Sequence, residues 1–310
     1  MTKPESLLMP TARPATITRK QVAAFLKPRP KDSHKGMFGT VTVIGGADGM
    51  IGAALLAGRA ALKMGAGCVH VGLLADKMPL VDMRVPELML HPAGDALKGI
   101  PHPKLPPKGE GENVKGSFNP SVLVIGCGLG RSLSAQKLLY DALLLDVALV
   151  ADADALNLIA QRPDLRSMLH GRKAPAVFTP HPGEAAHLLG CSTEDIQKDR
   201  AAAVRELARR LNGSVVLKGA GSLCATQDGR LHINQTGNPG MSSAGMGDVL
   251  SGMIAAFIAQ GLNTDEALLL AVHLHGTAGD ELAGQQATLG MSATEVTEWA
   301  RWLLNRMLPK

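Results

Sequence analysis

Asp248 ends the run Gly245-Met246-Gly247-Asp248, where a stretch of glycine, serine and proline that begins at Asn234 gives way to a helical pattern. Val249, Leu250, Met253, Ile254, Phe257 and Ile258 then share one helical stripe, and Gly261 supplies its stop. The first turn of a helix carries free main-chain N–H groups and the positive end of the helix dipole, so it attracts anions. Glycines at 245 and 247 let a phosphate reach the main chain with no Cβ in the way. A carboxylate at such a point repels phosphate, which leaves two roles for Asp248. It is a general base that takes a proton from a hydroxyl as that oxygen attacks phosphorus, or it is an N-cap or dipole-neutralising Asp.

Other candidates stand at comparable points. Ser214-Val-Val-Leu217 reads as a strand that runs into Lys218-Gly-Ala-Gly-Ser222, a turn able to touch a phosphate or nucleotide, although no Walker loop is present. Ala176-Val-Phe178 leads into Thr179-Pro-His-Pro-Gly-Glu184, where two prolines hold His181 either for a polar ligand group or simply in a surface loop. Asp152 and Asp154, just past Val147–Val150, can position water or Mg²⁺, and capping of the next helix explains them equally well. Gly126-Cys-Gly-Leu-Gly-Arg131 follows Val122–Ile125 and resembles a dinucleotide fingerprint, but Arg131 stands where the third glycine belongs.

The elements that must hold these residues alternate. Thr40–Ile44 reads as a strand, Gly45–Gly52 as a glycine loop, Ala53–Met64 as a helix and Cys68–Val71 as a second strand. That βαβ order predicts a parallel sheet. Glycine loops follow five predicted strands, after Ile44, Ile125, Val150, Phe178 and Leu217. In a parallel sheet such loops gather along one edge, the edge where ligands bind. His70 falls inside an apolar strand and reads as a core histidine. Residues 1–17 read as a loose arm ahead of one domain over 18–310, with Thr18 spaced to cap a short helix. The proline- and glycine-rich residues 91–119 read as a long surface excursion.

Composition narrows the function classes. The chain has 310 residues, 45% hydrophobic and only 3% aromatic, with a formal charge of +5 whose basic residues are scattered. A base-stacking surface needs interleaved aromatics, so no nucleic-acid partner is expected. No apolar run spans a membrane and no secretory signal opens the chain. The four cysteines lie far apart, which predicts reduced thiols and a cytoplasmic protein. Ala- and Gly-rich helix faces permit subunit packing, and a homo-oligomer is the expectation.

Taken together, Gly245-Met-Gly-Asp248 opening a helix resembles the anion-hole turn of the ribokinase-like superfamily. Within it, TPHPGE at 179–184, LKGAGS at 217–222, TGNPGM with GMGDVLSG at 236–252, GGADGMIGAALLAGRAALKMGAG at 45–67 and DADALN at 152–157 resemble the ADP-dependent (S)-NAD(P)H-hydrate dehydratases. The resemblance spans roughly residues 30–305. It implies an α/β fold, a three-layer α/β/α sandwich around a mainly parallel central sheet. It implies dehydration of the S epimer of NADH or NADPH hydrate at the expense of ADP, with Mg²⁺ and with a separate epimerase as partner. By position, Lys218, Gly219, Ala220, Gly221, Ser222 and Gly247 would bind the nucleotide, and Ala53, Gly128, His181 and Asp248 the hydrate. Asp248 would be the catalytic base and Gly245, Met246 and Gly247 the anion hole; no dedicated metal ligand is identified. A kinase of the same fold acting on a small alcohol is the alternative. A nucleotide-binding regulator without turnover is a third reading, against which the intact Gly-x-Gly-Asp turn argues.

Overall fold

Runs of Val, Leu and Ile bounded by glycine form the strands of this computed structural model, which describes residues 13–98, 121–286 and 288–309. The strands are β1 (Ala15–Thr16), β2 (Thr40–Gly45), β3 (Cys68–Leu73), β4 (Met89–Pro92), β5 (Val122–Ile125), β6 (Ala148–Ala151), β7 (Ala176–Phe178), β8 (Ser214–Leu217), β9 (Leu223–Ala225) and β10 (Leu231–Ile233). They make one sheet in the order β1-β10-β9-β8-β7-β6-β5-β2-β3-β4. Neighbours pair in parallel except at β9, which runs antiparallel to both β8 and β10. The mainly parallel sheet read from the βαβ order is therefore present, and β2, β5, β6, β7 and β8 lie side by side with their carboxyl ends on one edge.

The helices are α1 (Arg19–Ala23), α2 (Ile51–Lys63), α3 (Ala93–Lys98), α4 (Leu133–Leu143), α5 (Ala153–Gln161), α6 (Pro163–His170), α7 (Pro182–Leu189), α8 (Thr193–Lys198), α9 (Arg200–Leu211), α10 (Met246–Ala259), α11 (Thr264–Gln285) and α12 (Ala293–Met307). Alternation along each strand sends residues to two separate cores, as the two-residue period of a strand requires. Val41, Val43, Val122, Val124, Val150 and Val177 face α1, α2, α10, α11 and α12. Ile44, Leu123, Ile125, Leu149, Phe178 and Leu217 face α3 to α9. Both faces are covered, giving the three-layer sandwich.

On the valine face α10 and α2 meet at close range. A Cβ on Gly252 of α10 would lie 2.1 Å from the carbonyl oxygen of Ala57 on α2, so only glycine lets these helices approach so closely. Ala57, Ala60, Ala61 and Gly252 are buried within this core. These small residues are used inside the protomer.

Two expectations are corrected here. Residues 15–17 are not part of a loose arm: Ala15 and Thr16 pair in parallel with His232 and Ile233, and Ile17 is buried. Edge pairing satisfies main-chain groups that an isolated arm would leave to water. Residues 91–98 are not excursion: Pro92 ends an edge strand, where a missing N–H is tolerated, and α3 buries Ala93, Ala96 and Leu97. Residues 1–12 and 99–119 of those two assignments lie outside the described residues. Thr18 caps α1 as its spacing predicts, accepting from the Gln21 N–H at 3.2 Å. His70 is a buried strand residue stacked on His91.

Candidate active site

The carboxyl edge of the sheet gathers the candidate residues. Gly45 ends β2 and Gly46 follows it, Gly126, Cys127 and Gly128 follow β5, Asp152 follows β6, Thr179 and His181 follow β7, and Lys218 follows β8. Two of the turns demand glycine outright. A Cβ on Gly45 would lie 2.1 Å from the Cys127 carbonyl oxygen, and one on Gly126, at φ +123°, would lie 1.8 Å from that of Asp152. The loops are thereby packed onto one another.

Helix α10 delivers the Gly245–Asp248 turn to this edge. Gly245 is its N-cap at φ +90°, and a Cβ there would also strike Leu56 at 2.6 Å. No side chain caps α10, whereas Ser132, Asp152, His181, Ser192, Asp199, Asn263 and Ser292 cap α4, α5, α7, α8, α9, α11 and α12. The N–H groups of Met246 and Gly247 are thus left for a ligand anion. Gly245 and not Asp248 is the N-cap, while Asp248 lies in the first turn, the place of a dipole-neutralising carboxylate.

Beside the turn lies an ion pair whose carboxylate is almost removed from water. Lys218 Nζ donates to Asp152 Oδ1 at 2.9 Å, and the Asp152 side chain is only 1% exposed. Ser251 Oγ donates to Asp152 Oδ2 at 2.8 Å, and the Ala153 N–H donates to Oδ1 at 2.8 Å. Asp152 therefore caps α5 and holds Lys218 at once, with Ala153 bent into the left-handed region at φ +48° to permit both. Burial opposes ionisation of Asp152, but the Lys218 charge and the hydrogen bonds overcome it and hold its pKa below the usual carboxylate range. A Cβ on Gly247 would lie 3.0 Å from Lys218 Nζ, so the ammonium borders the Gly245–Asp248 turn.

Two other carboxyls behave in the opposite way. Withdrawal from water, reinforced by the charge of Asp152, pushes Asp248 up to about 7. Burial likewise pushes Glu184 up to about 7 even though Lys218 Nζ is 4.0 Å away. A carboxylate poised near neutrality suits a general base. Cys127 Sγ and carboxylate oxygens of Asp152 and Asp248 lie within 4.8 Å of one another, and burial raises the thiol well above its ordinary pKa. That trio does not fit Mg²⁺, which prefers hard oxygens and several waters. It offers a protonated sulfur and a carboxylate already bonded to an ammonium.

The predicted nucleotide residues come together. Lys218 to Ser222 and Gly247 line a cavity of about 610 Å³, whose far wall is Gln235–Met241 and whose floor includes Leu250, Val272 and His275. That volume suits a small-molecule ligand. Of the predicted hydrate residues, Ala53 and Gly128 come together, next to Cys127, whose sulfur lies within 4.8 Å of an Asp248 carboxylate oxygen. A Cβ on Gly128 would lie 3.1 Å from that of Ala53, and Gly128 directly follows Cys127. His181 is the most altered of the set. Its Nδ1 accepts from the N–H groups of Gly183 (3.0 Å) and Glu184 (3.2 Å), so the ring caps α7 and carries its proton on Nε2, 3.3 Å from Glu184 Oε1. Glu184, Ser251 and the 235–241 wall were not singled out from sequence. Glu184 and the wall sit inside quoted motifs, but only folding reveals their burial and their facing partners.

Comparison with known proteins agrees with this geometry. The family model for NAD(P)H-hydrate dehydratase matches residues 41–301. The ADP-dependent (S)-NAD(P)H-hydrate dehydratase of Neisseria meningitidis serogroup B is 40% identical over 287 residues, covering 91% of this chain and 90% of that protein. The bifunctional NAD(P)H-hydrate repair enzyme Nnr of Escherichia coli is 40% identical over 291 residues, 93% of this chain, which spans 52% of that longer protein. Among solved structures, the ADP/ATP-dependent NAD(P)H-hydrate dehydratase of Bacillus subtilis, co-crystallised with ATP/Mg²⁺, superposes with a TM-score of 0.80 at 30% identity, over 96% of this chain and 99% of that one. The ribokinase-like architecture expected from the motifs is the one found, and the chain belongs to the NAD(P)H-hydrate dehydratase family.

Proposed function

We propose that the protein is an ADP-dependent (S)-NAD(P)H-hydrate dehydratase, a hydro-lyase that restores NADH or NADPH from the S epimer of its hydrate while ADP becomes AMP and phosphate. One observation carries the mechanism: Asp248, pushed up to about 7 by burial, lies in the first turn of a helix that no side chain caps and whose Gly247 lines the cavity walled by Lys218–Ser222. In this reading Asp248 takes the proton of the hydroxyl on the hydrated ring carbon as that oxygen attacks the terminal phosphorus of ADP. The bond from phosphorus to the bridging oxygen breaks, and AMP leaves with its electron pair. The N–H groups of the Gly245–Asp248 turn, with Lys218, hold the charge that develops on the phosphoryl oxygens. Phosphate is a far better leaving group than hydroxide, so the ring-nitrogen lone pair expels it. Loss of a proton from the neighbouring ring carbon then restores the double bond.

Ala53, Gly128 and the Nε2–H of His181 border the hydrate in this scheme, and Gly247 serves both ligands. Mg²⁺ belongs to the proposal as the counter-ion of the ADP phosphates, since the residues present form no cage of their own for it. An epimerase, on whichever chain it resides, supplies the S form from the R form. Among the described residues no helix is long and apolar enough to cross a membrane, and we place the reaction in the cytoplasm. A homo-oligomer remains part of the proposal, with light scattering as its check.

Recovery of dihydronicotinamide absorbance from S-NADH hydrate tests the reading, with Mg²⁺ and either ADP or ATP, for wild type and Asp248→Ala. Recovery with ADP that disappears in the variant is expected. Recovery with ATP alone would change the donor. A stable phosphorylated product from a small alcohol, without hydrate turnover, would make the protein a kinase.

A further inference from the structure

The wall of the cavity opposite Lys218 has little regular structure of its own. Between Asn234 and Gly245 the only helical turn is the three-residue Pro239–Met241, and residues 236–241 include two glycines. A segment of this kind keeps one conformation only if something outside it supplies the restraint. Helix α11 supplies it. A Cβ on Gly276 would lie 2.3 Å from Thr236 Oγ1, and one on Gly279 would lie 2.3 Å from Met241 Sδ. Two missing side chains therefore let the wall lie directly on the helix. One turn back, Thr236 Oγ1 donates to the His273 carbonyl at 3.2 Å and Asn234 Nδ2 to that of Val272 at 3.3 Å.

Asp280 completes the contact. Its Oδ2 accepts from the Gly237 N–H at 2.8 Å and its Oδ1 from Asn238 Nδ2 at 3.1 Å. Asn238 in turn accepts from the Gly240 N–H at 3.0 Å and caps the Pro239–Met241 turn. Residues 276, 279 and 280 are spaced i, i+3, i+4 and so share one face of α11. Glycine is unfavourable inside a helix relative to alanine, and nothing in α11 itself requires two of them on this face.

We propose that Gly276, Gly279 and Asp280 form a positioning stripe that sets the Thr236–Met241 wall against a bound nucleoside diphosphate, with Asp280 as its fastening group. This rests on the reading of the cavity as the nucleotide site. Asp280 acts through Gly237 and Asn238 and is a positioning residue. Its side chain is exposed, so replacing it disturbs the wall and leaves the cores intact.

The test is calorimetric binding of ADP together with steady-state kinetics in which ADP and hydrate are varied separately. Asp280→Ala is expected to weaken ADP binding and raise its KM about five- to tenfold, with kcat and the hydrate KM within about twofold of wild type. Asp280→Asn is expected to fall between, because its amide oxygen still accepts from Gly237 while its NH₂ opposes that of Asn238. Gly279→Ala, which adds a clash and removes no hydrogen bond, is expected to weaken ADP in the same direction. Ser222→Trp, which fills the cavity, is expected to abolish ADP binding. If wild type binds ADP, Ser222→Trp does not, and Asp280→Ala binds as wild type, the positioning role is overturned and the nucleotide reading stands. If Ser222→Trp still binds ADP, the nucleotide reading fails and the stripe loses its ligand.

Discussion

Glutamates 184 and 206 both meet basic side chains, and their carboxyls respond in opposite directions. Glu206, on the outer face of α9, accepts from Arg209 at 2.7 and 2.8 Å and from Arg210 at 2.6 Å, and these hydrogen bonds draw it down to about 2. Glu184, at the sheet edge, is pushed up to about 7 by burial, with Lys218 4.0 Å distant. The difference lies in water and in prior commitment. Glu206 keeps its hydration and has two guanidinium groups of its own, whereas Glu184 has lost hydration and faces an ammonium already bonded to Asp152 at 2.9 Å. Asp248 shares the second situation. The carboxyl edge thus holds groups that change charge near neutral pH, while the helical surface holds groups with a settled charge.

The sharpest way to break this contrast is to remove the base. Asp248→Ala should lower kcat about 10³-fold while the protein stays folded, as judged by circular dichroism and hydrate turnover. For wild type, kcat/KM should rise with pH through about 7, because the ionised form of Asp248 is the active one. Next in size is Lys218→Met, which leaves Asp152 charged, buried and unpaired. A loss on the order of 3 kcal/mol is expected in urea unfolding, and adding Asp152→Asn should recover much of it. If the double variant were no better than the single one, the pair would not be the source of the loss.

A smaller effect runs the other way. The folded state holds the Asp248 proton more tightly than the unfolded chain does, with a pKa about 7 against 3.8. Ionisation therefore costs the folded state progressively between those values and fully above the higher one. Asp248→Asn removes that cost, so it should exceed wild type in stability by on the order of 2 kcal/mol at pH 8, with the gain fading toward pH 4. Thermal melts across that range would show it. An unchanged difference from pH 4 to pH 8 would mean the carboxylate is solvated after all.

How much of this was legible beforehand follows from range. The parallel sheet, the five glycine loops and the Gly245–Asp248 turn are local patterns, and they were readable because strand period and glycine punctuation act over a few residues. Asp152 was legible as a residue of interest but not as a choice between cap and charge partner, and it proves to be both. Its partner Lys218 is 66 residues away, a separation on which no local pattern reports. His181 is similar: two prolines marked a rigid loop, but the ring's service as the cap of α7 depends on its rotamer. The edge strand at Ala15–Thr16 was missed because two residues carry no periodicity, and only pairing with β10 makes them a strand.

The least expected change lies on the helical surface, and it tests the other half of the comparison. Glu206→Ala removes three close contacts to Arg209 and Arg210. A count of contacts would rank it among the costly substitutions. Both arginines keep their hydration, however, and an exposed pair loses in side-chain order and salt screening much of what it gains in attraction. The lowering of the Glu206 pKa to about 2 favours the folded state in sign, but at a solvent-screened pair little of it survives as stability. Tm should move by less than about 1 °C at pH 7, with hydrate turnover unchanged. As pH falls from about 4.5 toward 2, the wild type should lose whatever advantage it has, because the unfolded chain takes up the proton first and the folded pairing ends only near 2. A drop in Tm as large as that of Lys218→Met would show that partners, and not the loss of water, set the energetic difference between the two regions.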